Sequence, residues 1–493
     1  MTDENKQTNI YLSKSLFIRG RQCHKSLYLH KYHPELKDDL SEPSISLLQA
    51  GMDVGIFARQ LFPDGTEIPY DNLSFDEKLK MTQQEIDKGT STLYEAAFSH
   101  NNVFIKADIF NRNNNTWELH EVKSGSYRQN HHLDDIAVQY YVISNAGYPI
   151  SKASLVYINN QYVRNGDIEI DKLFRFEDVT DEVKEKQRFI EESLKDMREM
   201  LRGDIPEIDI GEQCNKKPAC DFRGYCWQHI PEDSVLHLRG RKFNPFDLYR
   251  RGILRLRDIP LETLRKDQKI QAEAFLQKRE YIDKEAIERF FDSLWYPLYF
   301  LDFETINPAI PLFDGTSPYK QIPFQYSLHY MENENAELRH FEFLAEPGID
   351  PRLELLRKLL SEIPDRSCLL VYTHYEKRIM NLLASWFPKY QNEIKRRIDN
   401  MMDLSLPFQR KDFYHWQLKG SSSLKDVLPL LVPELSYQEM EISDGMMAMD
   451  AYREMCQITD LERKENIRKA LLDYCKLDTL AMVKILEKLR QMI

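Results

Sequence analysis

Apolar and polar residues follow helix-like and strand-like periods in turn over most of the chain, which predicts a mixed α/β protein. The segment 103–123 predicts a hairpin, with strands at 103–110 and 116–123 joined by the Asn-rich turn NRNNN. The run WYPLYFLDFET predicts a buried strand. LLVYTHYEKRIMNLLA predicts a strand that runs into a helix, and LLDYCKLDTLAMVKILEKL predicts a long helix.

The same pattern divides the 493 residues into three parts. Residues 1–232 alternate helix-like and strand-like segments and form the first predicted domain. Residues 233–290 are charged, helical in pattern and interrupted by Pro245 and Pro260, which predicts a helical connector. Residues 291–493 form the second predicted domain, which begins at the buried strand.

Composition narrows the class of protein. Hydrophobic residues make up 42% and charged residues 30%, as in ordinary globular proteins. Apolar runs are too short for a transmembrane helix, and the polar start MTDENKQTNIYLSK is no secretory signal, so we expect a cytoplasmic protein that does not bind membranes. The net charge of −12 argues against indiscriminate binding to phosphate backbones. It does not exclude nucleic acid, because cation-binding carboxylates count towards this total.

The cysteines suggest a metal centre rather than disulfides, because their number is odd and no signal peptide is seen. Three cysteines form a C-x5-C-x5-C run near the end of the first predicted domain, and a fourth lies far upstream. Together they provide four thiols that suit zinc or an iron–sulfur cluster. These four are Cys23, Cys214, Cys220 and Cys226. We expect the other three, Cys368, Cys456 and Cys475, to be ordinary buried thiols.

A first candidate site lies on the predicted hairpin. Glu121 and Lys123 are two residues apart and share one face of their strand, and antiparallel pairing can bring Asp108 across to Glu121. Two carboxylates and an ammonium suit phosphodiester hydrolysis with Mg²⁺ or Mn²⁺. E-x-K alone is a weak signal, and a charged surface strand is the alternative interpretation.

The surroundings of this hairpin resemble the RecB-like branch of the PD-(D/E)XK nucleases, which includes the CRISPR-associated RecB-like exonucleases. The resemblance implies metal ligation by Glu95 on an early helix (STLYEAAF), by Asp108 and by Glu121, with Lys123 and Gln139 (DDIAVQYYVISNAG) completing the catalytic set. The family usually has Tyr four residues after the Gln, where this chain has Ile143. The four-cysteine pattern resembles the iron–sulfur staple of the same enzymes and implies a structural [4Fe-4S] cluster, with Zn²⁺ as the alternative.

A second candidate site combines three segments of the other predicted domain. Asp302 and Glu304 share one face of an apolar strand, where buried carboxylates need compensation, usually from a divalent cation. Tyr474 and Asp478 are four residues apart and share a helix face. Glu376 lies at the junction of a strand and a helix, where a charge favoured by the helix dipole is the alternative interpretation.

This order resembles the DEDD exonucleases of the DnaQ-like, RNase H-fold superfamily. The resemblance implies that Tyr474 orients the attacking water and that four carboxylates hold two metals. These four are Asp302, Glu304, Glu376 and Asp478. The second motif of the superfamily normally supplies an Asp, where this chain has Glu376.

The whole arrangement resembles a bacterial family of uncharacterised proteins that fuses a RecB-like domain, a cysteine cluster and a DnaQ-like domain. The segments GMDVGIFARQLFPDG, CDFRGYCW, FLDFET and IPFQYSLH support this resemblance. We therefore expect a metal-dependent nuclease that cleaves DNA with single-stranded regions or ends, in DNA repair or in defence against foreign DNA. The alternatives are an RNA-processing exonuclease and a catalytically degenerate iron–sulfur protein that binds nucleic acid. The sequence predicts no particular protein partner.

Overall fold

The computed structural model describes residues 10–39, 51–69, 73–217 and 219–493. The chain divides into two compact units: Met1–His229 with Pro308–Tyr319, and Ile230–Asn307 with Lys320–Ile493. Both units mix helices and strands, which confirms the predicted α/β class. Residues 233–290, predicted to be a connector, lie within the second unit.

The first unit surrounds one large sheet with helices. Its strands are β1 (Leu12–Ser13), β2 (Thr66–Glu67), β3 (Thr92–His100), β4 (Val103–Asn113), β5 (Thr116–Lys123), β6 (Ile150–Ile158) and β7 (Phe174–Asp178). Its helices are α1 (Lys14–Gln22), α2 (His24–Tyr32), α3 (51–58), α4 (Phe75–Asp87), α5 (Asn130–Asn145), α6 (Ile170–Leu173), α7 (Thr180–Glu185), α8 (Gln187–Arg202) and α9 (Arg223–Cys226).

Among the described residues this sheet has seven strands, in the order β2-β3-β4-β5-β6-β7 with β1 also paired to β4. β4 and β5 form the predicted hairpin, whose turn contains Asn114 in the left-handed region (φ 54°). Ile109 pairs with His120, so the same register extended by one residue sets Asp108 against Glu121. The hairpin thus supplies the carboxylate pair that the sequence predicted.

β3 corrects one prediction. Glu95, expected on a helix, lies in this strand, and it stands opposite Asp108 in the β3–β4 register. Its φ of 56° and the gap in the pairing between Tyr94 and Ala96 mark a local irregularity of the strand. The helix prediction was wrong because the apolar run around Glu95 is buried on both faces of a sheet, and such a run has no period that separates strand from helix.

The second unit contains a smaller sheet and many helices. Its strands are β8 (Tyr281–Ile282), β9 (Leu298–Ile306), β10 (Ile322–Met331), β11 (Arg339–Leu344), β12 (Cys368–Val371), β13 (Met401–Asp403) and β14 (Phe413–Tyr414). Its helices are α10 (Phe246–Arg250), α11 (Lys266–Gln277), α12 (Lys284–Asp292), α13 (Arg352–Glu362), α14 (Tyr375–Trp386), α15 (Gln391–Asp399), α16 (Leu406–Gln409), α17 (Leu424–Leu431), α18 (Gly445–Gln457) and α19 (Leu461–Arg490).

Five of these strands form a mixed sheet in the order β11-β10-β9-β12-β13. The central strand β9 is antiparallel to β10 and parallel to β12. It is almost wholly buried, as its apolar sequence predicted. Helices α18 and α19 pack against it, so that acidic side chains on β9 can meet residues of α19.

Candidate metal centres

The first carboxylate cluster lies where α1, the β4–β5 hairpin and α5 of the first unit meet. It consists of Lys14, Asp108, Glu121, Lys123, Asp135 and Gln139. Glu121 is its centre: Lys14 Nζ lies 2.9 Å and Lys123 Nζ 2.6 Å from its Oε1. Gln139 Nε2 donates to the other oxygen, Oε2, at 2.7 Å. The structure therefore brings together Asp108, Glu121, Lys123 and Gln139 as predicted, and adds two residues to them.

The two added residues are Lys14 and Asp135. Asp135 accepts from Lys123 and lies 3.6 Å from Lys14 Nζ, so the two lysines and two of the carboxylates form one partly buried ion-pair network. Asp135 and Gln139 are four residues apart on α5, and this spacing could have revealed Asp135 from the sequence. Lys14 has no comparable signal, because α1 is distant from the hairpin in the chain.

Charge within this cluster is nearly balanced. Burial opposes the charged form of Glu121, but Lys123 and Lys14 outweigh it and hold the pKa of Glu121 well below its usual value. Asp108 is different: burial, reinforced by the negative charge of Glu121, raises the pKa of Asp108 to about 8. Its Oδ2 accepts from the backbone N–H of Val122 at 2.8 Å. Asp108 is thus the carboxyl of this cluster that holds a proton most readily.

Glu95 lies at the edge of this cluster. Its carboxylate pairs with Lys106 at 3.1 Å and Arg59 at 3.8 Å, and its negative charge contributes to the raised pKa of Asp108. Asp108, Glu121 and Asp135 offer the carboxylate oxygens that a hard divalent cation prefers, but their ligand atoms do not all lie within 4.8 Å of one another. Such a cation would compete with Lys14 and Lys123 for the same oxygens.

The four predicted cluster cysteines also come together. Cys23 separates α1 from α2, and Cys226 ends α9. Burial raises the pKa of the Cys220 thiol, and the negative charges of Cys214 and Cys23 act in the same direction, so these thiols interact. The same three thiols act on Cys226. All four are free thiols, and their chemistry fits iron–sulfur or zinc ligation.

Side chains around the cysteines tie the two parts of the motif to each other. Arg19 of α1 forms a two-pronged ion pair with Asp221, which lies next to Cys220. Gln22 Nε2 donates to the carbonyl of Gln213 at 2.9 Å. Cys23 is thereby held close to a loop that follows it by about 190 residues in the sequence.

The second carboxylate cluster lines a cavity of about 510 Å³ in the second unit. Asp302 and Glu304 come from β9, Glu376 from the first turn of α14, and Tyr474 and Asp478 from α19. The structure therefore brings all five predicted residues of this site to one cavity.

The carboxyls of this cluster lack strong compensation. Burial, followed by the charge of a neighbouring carboxylate, raises the pKa of Asp302, of Glu304 and of Glu376 well above their usual values. Burial raises the pKa of Asp478 to about 6. Oε2 of Glu376 is buried, and no hydrogen-bonding partner for it lies among the described residues. This set of oxygen donors fits one or more divalent cations.

Neutral donors and one lysine hold the side of the cluster formed by α19. Tyr437 donates a hydrogen bond of 2.6 Å to Oδ1 of Asp478. Lys425 donates to the hydroxyl of Tyr474 at 3.1 Å and to the carbonyl of Ser443 at 2.6 Å. Both Tyr437 and Lys425 were missed in the sequence, because each lies in a segment far from the acidic motifs and has no local pattern.

Asp403 holds the turn in front of Glu376. Its Oδ1 accepts from the backbone N–H of Thr373 at 3.0 Å, and Thr373 has a φ of 81°, in the region that side chains disfavour. Asp403 comes from β13, next to the strand that precedes this turn. It therefore holds the turn from which α14 presents Glu376. No local pattern predicts this contact, because Asp403 reaches Thr373 only through the pairing of β12 with β13.

Cys475 is buried as predicted, and it also lies beside a carboxyl of the second cluster. It is buried on α19 between Tyr474 and Asp478 in sequence, and its Sγ lies 3.6 Å from Oδ2 of Asp302. Cys456, also expected to be buried, is exposed. Cys368 is buried in β12 as predicted.

Comparisons with known proteins give relatives without an assigned activity. Residues 299–423 match a family described as a domain of unknown function (DUF2779), and this range includes Asp302, Glu304 and Glu376 but not Tyr474 or Asp478. The chain is 27% identical over 232 residues to "Uncharacterized protein MG366 homolog" of Mycoplasma pneumoniae, covering 42% of this chain and 35% of that protein. It is 25% identical over 211 residues to "Uncharacterized protein UU173" of Ureaplasma parvum, covering 38% of this chain and 30% of that protein.

The chain thus spans about a third of the length of these curated relatives. In the part of the chain that the structure describes, we find no helix with the length and apolar character needed to cross a bilayer.

Proposed function

We propose that this protein is a metal-dependent nuclease that hydrolyses phosphodiester bonds in DNA with single-stranded regions or ends, in the cytoplasm. The second unit is proposed as a DnaQ-like DEDD exonuclease domain, and the first as a RecB-like nuclease domain with a [4Fe-4S] or zinc centre on its four cysteines. DNA repair and defence against foreign DNA are the proposed settings.

One observation supports this proposal above the others. Four carboxyls from three separate elements of the second unit meet at one cavity, and all four have raised pKa values. Glu304, Glu376 and Asp478 are buried, and Asp302 is half-buried. Clustered carboxyls without compensation are costly, and divalent cations are their usual partners.

In this proposal each side chain of the second unit has a distinct role. Bound divalent cations supply an activated water and neutralise charge on the phosphoryl group. Asp302, Glu304 and Asp478 hold the cations. Tyr474 orients the attacking water through its hydroxyl, and Lys425 fixes that hydroxyl by its 3.1 Å hydrogen bond.

Glu376 reaches the same cavity from the first turn of α14. Its longer side chain would replace the Asp of the related motif, and Asp403 holds the turn that presents it.

In the first unit Asp108 and Glu121 would hold a cation, with Asp135 as an added ligand. Lys123 would stabilise charge that develops on the phosphoryl group, and Gln139 orients Glu121 by its 2.7 Å hydrogen bond. One observation favours a second candidate function for this unit, namely nucleic-acid binding without cleavage. Both lysines already pair with the carboxylates that a cation would use.

The test is cleavage of end-labelled single- and double-stranded DNA and RNA with Mn²⁺ or Mg²⁺, using protein purified without oxygen. Asp302→Asn is expected to remove one cleavage activity and Lys123→Ala another, each by at least about 100-fold. The matched controls are Glu337→Gln and Lys80→Ala, which change exposed residues of the second and first units. Wild-type protein that binds DNA but cleaves no substrate would reject the nuclease proposal. Loss through Asp302→Asn alone would leave the first unit as a binding domain.

A further inference from the structure

Cys475 lies inside the second carboxylate cluster rather than beside it. Ligand atoms of Asp302, Glu304 and Cys475 all lie within 4.8 Å of one another. Sγ of Cys475 is 3.6 Å from Oδ2 of Asp302 and 3.9 Å from the carbonyl oxygen of the same residue. No other group of three Asp, Glu, His or Cys side chains among the described residues meets this distance.

Glu376 provides a second, independent sign of a ligand at this point. Its side chain is 2% exposed and lines the same cavity as Asp302 and Glu304. Its Oε2 has no hydrogen-bonding partner among the described residues. A buried carboxyl oxygen without a partner, at a cavity that Asp302, Glu304, Asp444 and Asp478 also line, is a position at which a cation can bind.

The spacing of sulfur and oxygen agrees with a shared metal. Zinc binds sulfur at about 2.3 Å and carboxylate oxygen at about 2.0 Å, which places the two ligand atoms about 3.5 Å apart in a tetrahedral site. The distance from Cys475 Sγ to Asp302 Oδ2 is 3.6 Å. At this distance the thiol donates a hydrogen bond to the carboxylate, and the two atoms are already spaced as two ligands of one ion.

We propose that Cys475 is a sulfur ligand of the cation held by Asp302 and Glu304, and that this centre therefore prefers Zn²⁺, Co²⁺, Fe²⁺ or Cd²⁺ over Mg²⁺. Sulfur ligands favour these softer cations, whereas carboxylates alone favour Mg²⁺. Binding exchanges the S–H bond for a sulfur–metal bond, and the proton leaves to solvent. This inference rests on the metal site of the proposed function, but not on nuclease activity.

The experiment titrates the full-length, metal-depleted protein with Co²⁺ and records its absorption spectrum. The proteins are wild type, Cys475→Ser, Asp302→Asn and, as the matched control, Cys456→Ser at an exposed thiol. The four cluster cysteines contribute the same signal in every protein, so difference spectra isolate the second unit. Subtracting the Cys475→Ser or the Asp302→Asn spectrum from that of wild type is expected to leave a sulfur-to-cobalt charge-transfer band, whereas subtracting the Cys456→Ser spectrum is expected to leave none.

A parallel titration measures affinity. Cys475→Ser is expected to weaken Cd²⁺ binding by roughly 100-fold while Mn²⁺ binding changes by less than about threefold. Cys475→Ala is the second variant, and circular dichroism checks that each variant is folded. Cadmium-113 NMR of the wild-type protein needs no variant at all, because a mixed sulfur–oxygen signal supports the proposal.

The outcomes separate this inference from the function on which it rests. If Cys475→Ser leaves the spectrum unchanged while Asp302→Asn removes Co²⁺ from this site, the metal site stands and the sulfur ligand is rejected. If neither variant changes the spectrum, the metal site itself is rejected. A cadmium spectrum with no mixed sulfur–oxygen signal likewise overturns the assignment of Cys475.

Discussion

The two carboxylate clusters differ in how the negative charge of their carboxyl groups is compensated. In the first unit, Lys14 and Lys123 lie within 3 Å of Glu121 and hold its pKa well below the usual value. In the second unit, the pKa values of all four carboxyls are raised, and Lys425 donates to a tyrosine and a backbone carbonyl rather than to a carboxylate.

This difference indicates which cluster depends on an added metal ion. The first cluster contains its own cations, so a metal ion must displace ammonium groups before it gains ligands. In the second cluster the carboxyl oxygens have no lysine partner among the described residues. A metal ion that binds there therefore relieves the repulsion between carboxylates. We therefore expect the second unit to respond more strongly to divalent cations, and the first to be more sensitive to the loss of a single carboxylate.

The largest expected effect is the loss of the central carboxylate of the first cluster. Glu121→Gln leaves two half-buried lysines with less negative charge, and breaking an ion pair whose carboxylate is buried destabilises a protein by up to about 3–5 kcal/mol. Urea unfolding at pH 7 with chelator present measures the change in free energy of unfolding. Glu185→Gln, at an exposed position of α7, is the control. If the free energy of unfolding falls no more than in the control, the ion pairs of the lysines with Glu121 do not stabilise the protein.

The second cluster is expected to show the opposite charge effect as a dependence on pH. Burial raises the pKa of Asp478 from 3.8 to about 6, so the folded state binds its proton more tightly than the unfolded state. The stability that this proton contributes is present in full below pH 3.8 and is lost as pH rises through about 6. At about 1.4 kcal/mol per pKa unit, the loss is up to about 3 kcal/mol.

The measurement for this prediction compares wild type with Asp478→Asn in chelator between pH 4 and pH 7. As pH rises, the free energy of unfolding of wild type should fall relative to that of Asp478→Asn, because only the wild type has this carboxyl to ionise. A difference that is constant with pH would contradict the prediction, because it would mean that the pKa of Asp478 is the same in the folded and unfolded protein.

A divalent cation should reverse that loss. Mn²⁺ at about 100 times its dissociation constant is expected to raise the free energy of unfolding of wild type by about 2.7 kcal/mol at pH 8. Asp302→Asn should remove most of this gain, whereas Lys123→Ala should keep it. If Lys123→Ala removes the gain instead, the first cluster is the stronger cation site and the comparison between the two units is inverted.

The smallest expected effect concerns a neutral donor. Tyr437→Phe removes the 2.6 Å hydrogen bond to Asp478, which should cost about 1–2 kcal/mol of stability at pH 7 and move the pH-dependent loss to higher pH. Thermal unfolding with chelator measures both changes. Tyr127→Phe, at an exposed tyrosine, should change neither. Unaltered pH dependence in Tyr437→Phe would mean that this hydrogen bond does not favour the charged carboxylate.

Local spacing made parts of both clusters predictable. Glu121 and Lys123 share a strand face, and Tyr474 and Asp478 share a helix face. In each case the spacing of two residues within one element was enough to predict that their side chains lie together. Lys14, Lys425 and Asp403 could not be found in this way, because they reach their sites through tertiary packing and strand order. Glu95 was placed on the wrong kind of element because its buried neighbours have no period, although its position opposite Asp108 lies at the expected site.

Helix α1 gives the first unit a mechanical property. It begins at Lys14, whose ammonium contacts Glu121, and it is followed directly by Cys23 of the four-cysteine group. Nine residues of α-helix form a rigid rod of about 13 Å. This helix therefore sets the distance between the residue that enters the carboxylate cluster and the residue that enters the cysteine group.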